Sequence, residues 1–115
     1  MESEIARELP LTEPEYCTLM TLAGGEMHGY GVIQAVSEAT GGSVQLRTGT
    51  LYVVLRRLAE RGLIAESEGR PRPGEDARRR YYGITGRGLA VVRAEAERLA
   101  AMAALAASRG LLAGG

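Results

Sequence analysis

The chain has no lysine, no tryptophan and no phenylalanine, and only one cysteine and one histidine among its 115 residues. Each shortage excludes something. Cys17 has no partner for an internal disulfide, and with His28 as the sole histidine there are too few soft ligands for a structural zinc site. A single histidine also leaves no credible Ser–His–Asp arrangement. The glycine-rich strings GGEMHGYG and TGGSVQLRTGT lack both the spacing and the lysine of a phosphate-binding loop. The expectation is a protein that is not an enzyme and carries no cofactor or metal. No apolar run approaches the roughly 20 residues that a membrane-spanning helix needs. The opening MESEIARELP is acidic and has no signal-peptide core. We therefore expect a soluble, cytoplasmic protein with no membrane partner. With no basic residue near it in sequence to favour a thiolate, Cys17 reads as a packed thiol rather than a redox sensor. His28 reads as a cap or turn residue.

What is present is arginine, unevenly spread. All 14 basic residues are Arg, matched by 14 acids, so the formal net charge is zero. Residues 1–46 hold one Arg and seven Glu, a balance of −6. Residues 47–87 hold ten Arg against five acids, a balance of +5. Residues 88–115 hold three Arg and two Glu, a balance of +1. Overall neutrality conceals a basic middle, the electrostatic footprint of an anionic partner.

The pattern along the chain predicts a mainly α domain with a small β-hairpin. Residues 1–10 read as a mobile lead-in or short arm. Thr12 followed by Glu15 is a capping-box signature, and Gly24-Gly25 ends a helix over 13–23. Tyr30, Ile33 and Val36 recur in a helix over 29–39, where Gly29 and Gly31 permit a close crossing. VQL at 44–46 reads as a short extended piece, or strand. Leu51, Val54, Leu55 and Leu58 share one face of a helix over 49–61, with Thr48 to cap it and Gly62 to end it. Residues 63–68 and 79–84 alternate as two strands around a polar, Pro-rich tip. Thr85 then caps a helix over 86–109, whose apolar seam steps through Leu89, Val92, Ala96, Leu99, Ala103 and Ala106. The domain organisation predicted is an N-terminal arm at 1–10, a helical domain with its hairpin at 11–85, a C-terminal helix at 86–109 and a flexible tail at 110–115.

The helix over 49–61 turns Gly49, Thr50, Val53, Arg56, Arg57 and Glu60 outward, with Tyr52 at the border. Such side chains suit a major groove. Arg bonds two acceptors of a guanine edge, while Thr and Val touch a thymine methyl. The hairpin arginines, Arg70, Arg72, Arg78, Arg79 and Arg80, cannot all be buried unpaired. They are solvated, or they grip phosphates beside the groove. The bland alternative is a solvated face in which Arg56 or Arg57 pairs with Glu60 at helical spacing. A second functional reading makes the same surface a protein–protein interaction module without specific DNA binding. Against it, protein interfaces prefer large aromatics at their centre.

The order of elements is that of a winged helix-turn-helix. The stretches LTEPEYCTLMTLAGGEMHGYGVIQAV, TGTLYVVLRRLAERGLIAES and RRRYYGITGRGLAVV closely resemble the PadR family of bacterial transcriptional regulators, over nearly all of 11–93. HGY, GTLY, LxRLxxxGLI and YYxxTxxG occur in the family's order, and the single C-terminal helix resembles its smaller class. The resemblance implies a homodimer that binds a pseudo-palindromic operator in double-stranded DNA and usually represses. The expected DNA contacts are Thr48, Thr50, Tyr52, Val53, Arg56, Arg57, Arg70, Arg72, Arg78 and Arg79. Thr50 and Tyr52 stand at positions that commonly meet the DNA backbone, and Val53 stands where the family often has proline. The expected dimerisation residues are Leu89, Val92, Ala96, Leu99 and Ala103. A small hydrophobic or aromatic effector is the further partner implied, with Tyr16, Met20, Leu99 and Met102 as candidate pocket walls.

Overall fold

The computed structural model describes residues 2–67 and 80–112. In chain order the elements are α1 (Glu2–Ala6), α2 (Glu13–Ala23), β1 (Met27–His28), α3 (Gly29–Ala39), α4 (Thr48–Glu60), β2 (Ile64–Ser67), β3 (Tyr81–Ile84) and α5 (Gly86–Ser108). The mainly α architecture with a small hairpin is as expected. β3 is the centre of a three-stranded antiparallel sheet in the order β1-β3-β2, with Ile64 opposite Ile84, Ser67 opposite Tyr81 and Met27 opposite Tyr82.

Local chemistry sets the helix ends. Thr12 Oγ1 accepts from Glu15 N and Glu15 Oε1 accepts from Thr12 N, closing the capping box of α2. His28 Nδ1 accepts from Gly31 N at 3.0 Å and so caps α3. Thr85 Oγ1 accepts from Gly88 N and caps α5. At the end of α4, Gly62 takes φ 73°, Gly62 N bonds Ala59 O and Leu63 N bonds Leu58 O. This paired closure needs a left-handed residue, which glycine adopts without steric cost.

The core collects Leu19 and Leu22 of α2, Val32 and Val36 of α3, Leu51, Leu55 and Leu58 of α4, Leu63 and Ile64 beside the wing, and Val91 of α5. Cys17 is buried within it, and burial, then the Glu13 charge, pushes its thiol pKa up, as a packed thiol requires.

Several sequence expectations are corrected. Residues 44–46 form no strand: Val44 N is held by Thr40 Oγ1 at 3.1 Å and Leu46 is buried, while the edge of β3 is occupied by β1. A strand exists only with a partner, and Met27–His28 has taken that place. Of the two readings of the N-terminal segment, mobile lead-in or short arm, the described residues 2–10 fit an arm, because α1 packs against α5 and Ile5 and Leu9 lie against the core. Tyr30 is 55% exposed, and α3 buries Gly29, Val32 and Val36 instead. Thr48 does not cap α4: it is the first helical residue, and Arg47 is the N-cap, with no side-chain cap bond.

The seam of α5 is rotated from the expected one. Gly88, Val91, Val92 and Glu95 face inward. Val92, expected at a dimer interface, is only 6% exposed within the single chain, and Leu89 also lies partly against the core. The helix packs on its own domain for its first turns, so those turns bury what the periodicity assigns to a partner. Glu95, fully buried, accepts from Leu11 N at 2.7 Å and from Arg98 Nε, anchoring the start of α2 to α5. The Arg98 bond lowers its pKa most, burial opposes, and the Leu11 amide lowers it further.

Candidate nucleic-acid interface

The buried stripe Leu51, Val54, Leu55 and Leu58 fixes the rotation of α4. Thr48, Gly49, Thr50, Tyr52, Arg56 and Arg57 are consequently exposed, Val53 is half-buried, and Arg47 at the N-cap is exposed as well. All six DNA-contact residues expected on α4 therefore share its outer surface, although Val53 is partly covered. Among the described residues Arg47, Arg56 and Arg57 make no ion pair, so the pairing of Arg56 or Arg57 with Glu60 does not occur. Two guanidinium groups on the outer face of α4, with a third at its N-cap, none of them ion-paired among the described residues, make a surface suited to a polyanion.

Tyr52 is tied to the neighbouring helix. A Cβ at Gly29 would lie 3.1 Å from Tyr52 Oη, so the bare α-carbon of Gly29 is what lets the phenol lie across the start of α3. The wing meets the same place. Arg80, at the base of β3, lines with Tyr52, His28, Gly29 and Tyr30 one cleft of about 240 Å³. Its guanidinium also bonds Glu66 across the hairpin at 3.1 Å, and both side chains are exposed. The base of the hairpin and the outer face of α4 thus border one another. Arg70, Arg72, Arg78 and Arg79 lie outside the described residues.

Two arginines counted in the basic middle do not belong to this surface. Arg61, the C-cap of α4, donates to Glu8 Oε1 at 2.8 Å and to Glu15 Oε2 at 2.7 Å. Arg87 donates to Glu8 Oε2 at 2.7 Å and to Arg61 O at 3.3 Å. Burial pushes the Glu8 carboxyl up, but the Arg87 and Arg61 hydrogen bonds and charges together hold it below its ordinary value. Part of the acidic N-terminal charge is therefore spent internally, and it ties α1, α2, α4 and α5 into one clasp. The sequence reading missed Glu8; a carboxylate two residues before a proline carried no signal for it.

The expected effector walls stand on two helices, Tyr16 and Met20 on α2 and Leu99 and Met102 on α5. Met20 lines an apolar cleft of about 290 Å³ between α2 and α3, with Cys17, Met27, Ala35 and Val36. Leu99 and Met102 stand on the exposed outer half of α5, and Tyr16 is half-buried on α2. A larger open groove, about 790 Å³, runs between α1 and α5 and is floored by Ile5, Leu9, Ala90 and Ala94. On outer α5, Met102 and Leu105 are 55% and 56% exposed, and Leu99, Leu111 and Leu112 extend that apolar surface. Leu105 was missed by the sequence seam, which followed Ala103. Of the other seam residues, Ala96 and Ala103 are exposed. Among the described residues no helix is long and apolar enough to cross a membrane, and no cluster of three metal-ligating side chains occurs.

The model of the transcriptional regulator PadR-like family matches residues 18–94. A Lysinibacillus sphaericus protein, uncharacterized protein X, is 35% identical over 65 residues. That match covers 56% of this chain and only 58% of the relative's length. The structure of a transcriptional regulator from Clostridium thermocellum superposes with a TM-score of 0.71 at 22% identity, covering 86% of this chain and 97% of that one. Bacillus subtilis PadR, solved in complex with operator DNA, superposes with a TM-score of 0.57 at 22% identity over 74% of this chain and 46% of its own. At such identities the likeness of the two structures is one of fold.

Proposed function

Because the chain belongs to the PadR-like family of transcriptional regulators, we propose that it is a homodimeric, sequence-specific DNA-binding repressor that works in the cytoplasm. It reads a pseudo-palindromic operator, and a small hydrophobic or aromatic effector modulates its affinity. The observation that carries this reading is the outer face of α4, where Arg56 and Arg57, with Arg47 at the N-cap, are exposed and make no ion pair among the described residues, beside Thr48, Thr50 and Tyr52. The two threonines and Tyr52 offer short polar contacts to the phosphate backbone, while Arg56 and Arg57 reach base edges. The hairpin arginines Arg70, Arg72, Arg78 and Arg79 grip flanking phosphates, and Arg80 at the hairpin base supports this by its position beside Tyr52.

The spacing of B-DNA grooves supports a dimeric reading. Two reading helices about 34–36 Å apart meet successive major grooves on one side of B-DNA, whereas one copy alone binds weakly. The exposed Leu99, Met102 and Leu105 supply an apolar stripe that a second copy would cover. An effector has room in the α2–α3 cleft beside Met20 or in the α1–α5 groove. A gel shift with the duplex upstream of the protein's own gene, repeated in rising salt, tests the reading. Specific retardation that weakens linearly with log salt is expected. Retardation no better than for scrambled DNA of the same length would overturn it.

A further inference from the structure

We propose that Gly49 is where the duplex comes nearest to the backbone of α4, and that its missing side chain is a determinant of operator binding. The proposal rests on the DNA-binding reading above. Glycine in a helix weakens it, because the chain loses more freedom there than any other residue would. Its presence therefore asks for a reason, and the described glycines can be sorted by the reason each has. Gly25, Gly41, Gly42, Gly62 and Gly110 take positive φ. Gly29, Gly31, Gly83 and Gly88 are crowded, with a neighbour 3.3 Å or less from where a Cβ would stand. Gly24 is the C-cap of α2, with Thr21 O at 3.4 Å. Only Gly49 and Gly86 remain, with nothing within 4 Å of a Cβ and no positive φ.

Gly49 is the second residue of α4, and nothing within the described chain calls for it. It heads the outward stripe Gly49, Tyr52, Val53 and Arg56, spaced by three and four residues. The N-terminal turn is also the part of a reading helix that meets base edges first. A bare α-carbon there lets that turn sit deeper than any side chain would allow, bringing Thr48, Thr50 and Tyr52 within reach of the backbone on either side. Gly86 offers the same local state at the start of α5, which supplies no residue to the reading surface.

Gly49→Ala and Gly86→Ala should each keep or raise the melting temperature, by roughly 2–6 °C, since alanine restricts the unfolded chain and favours helix. Gly49→Ala should lose about tenfold or more in affinity for the upstream duplex, and Gly49→Leu more again, while Gly86→Ala binds as wild type. A Gly49→Ala protein that binds within about twofold of wild type overturns the proposal alone. So does one that melts well below wild type, because the glycine would then serve the chain itself. A wild-type protein that binds no duplex overturns the functional reading, and this inference with it.

Discussion

Gly88 of α5 lies hard against the Leu63 carbonyl. A Cβ built there would lie 2.0 Å from Leu63 O and 2.9 Å from Ile84 Cγ1. A carbon–oxygen contact is comfortable at about 3.3 Å, so Gly88→Ala forces α5 and the Leu63 carbonyl apart by roughly 1.3 Å. Leu63 O is backbone, so no side-chain rotation relieves the clash. Overpacking of this kind costs about 1–3 kcal/mol. The same movement strains two hydrogen bonds at the joint, Thr85 N to Leu63 O at 3.0 Å and Thr85 Oγ1 to Gly62 O at 2.6 Å, each worth roughly 0.5–1.5 kcal/mol. Against this, alanine regains up to about 1 kcal/mol of helix propensity. The net destabilisation is about 2–4 kcal/mol, which in a domain of this size lowers the melting temperature by roughly 10–20 °C. Thermal unfolding followed by far-ultraviolet circular dichroism, at one protein concentration for all variants, measures it. An unchanged or higher melting temperature for Gly88→Ala would show that α5 does not cross the wing at the distance described, and the placement of the whole C-terminal helix would fall with it.

Arg57→Ala should weaken specific DNA binding by about 1–3 kcal/mol and relax preference at one base position, whereas Arg72→Ala or Arg79→Ala should weaken all sequences alike and reduce the salt slope by about one; competition gel shifts at several salt concentrations separate the two classes. Leu99→Glu together with Met102→Glu should shift the protein from dimer towards monomer in sedimentation with little loss of helix, while Val92→Glu, at a position buried in the single chain, should unfold it. Glu8→Gln tests the clasp through acid stability. The folded-state pKa of Glu8 is lowered, so its stabilisation is complete above the ordinary value of 4.5 and is lost as pH falls through the lowered one. The wild-type urea midpoint should drop below pH 4.5, and Glu8→Gln should start lower at neutral pH and fall less steeply; parallel acid limbs would mean that the carboxylate is not engaged by Arg61 and Arg87.

Much of this molecule is legible in the residues because its helix ends rest on contacts three or four positions apart. Thr12 with Glu15, His28 with Gly31, Thr85 with Gly88 and the left-handed Gly62 act within about a single turn, and so the starts of α2, α3 and α5 and the end of α4 follow from local chemistry. The outer face of α4 is legible for a related reason: only one of its sides is apolar, and burying Leu51, Leu55 and Leu58 leaves Thr50, Arg56 and Arg57 nowhere but outside.

The tertiary structure alone decided what depends on partners distant in sequence. Helix α5 carries Leu, Val or Ala on most of its sides, so periodicity admits more than one seam. That Val91 and Val92 face the core while Met102 and Leu105 face outward depends on where the helix leaves the domain. A short extended segment becomes a strand only if an edge is free, and β3 offered its edge to Met27–His28 rather than to 44–46. The charge distribution marked a basic middle, but Arg61 and Glu8 lie 53 residues apart and Arg87 and Glu8 79 apart. Ion pairs at that separation form only once the chain has folded, so no count along the sequence can tell an arginine held inside the clasp from one left free for a partner.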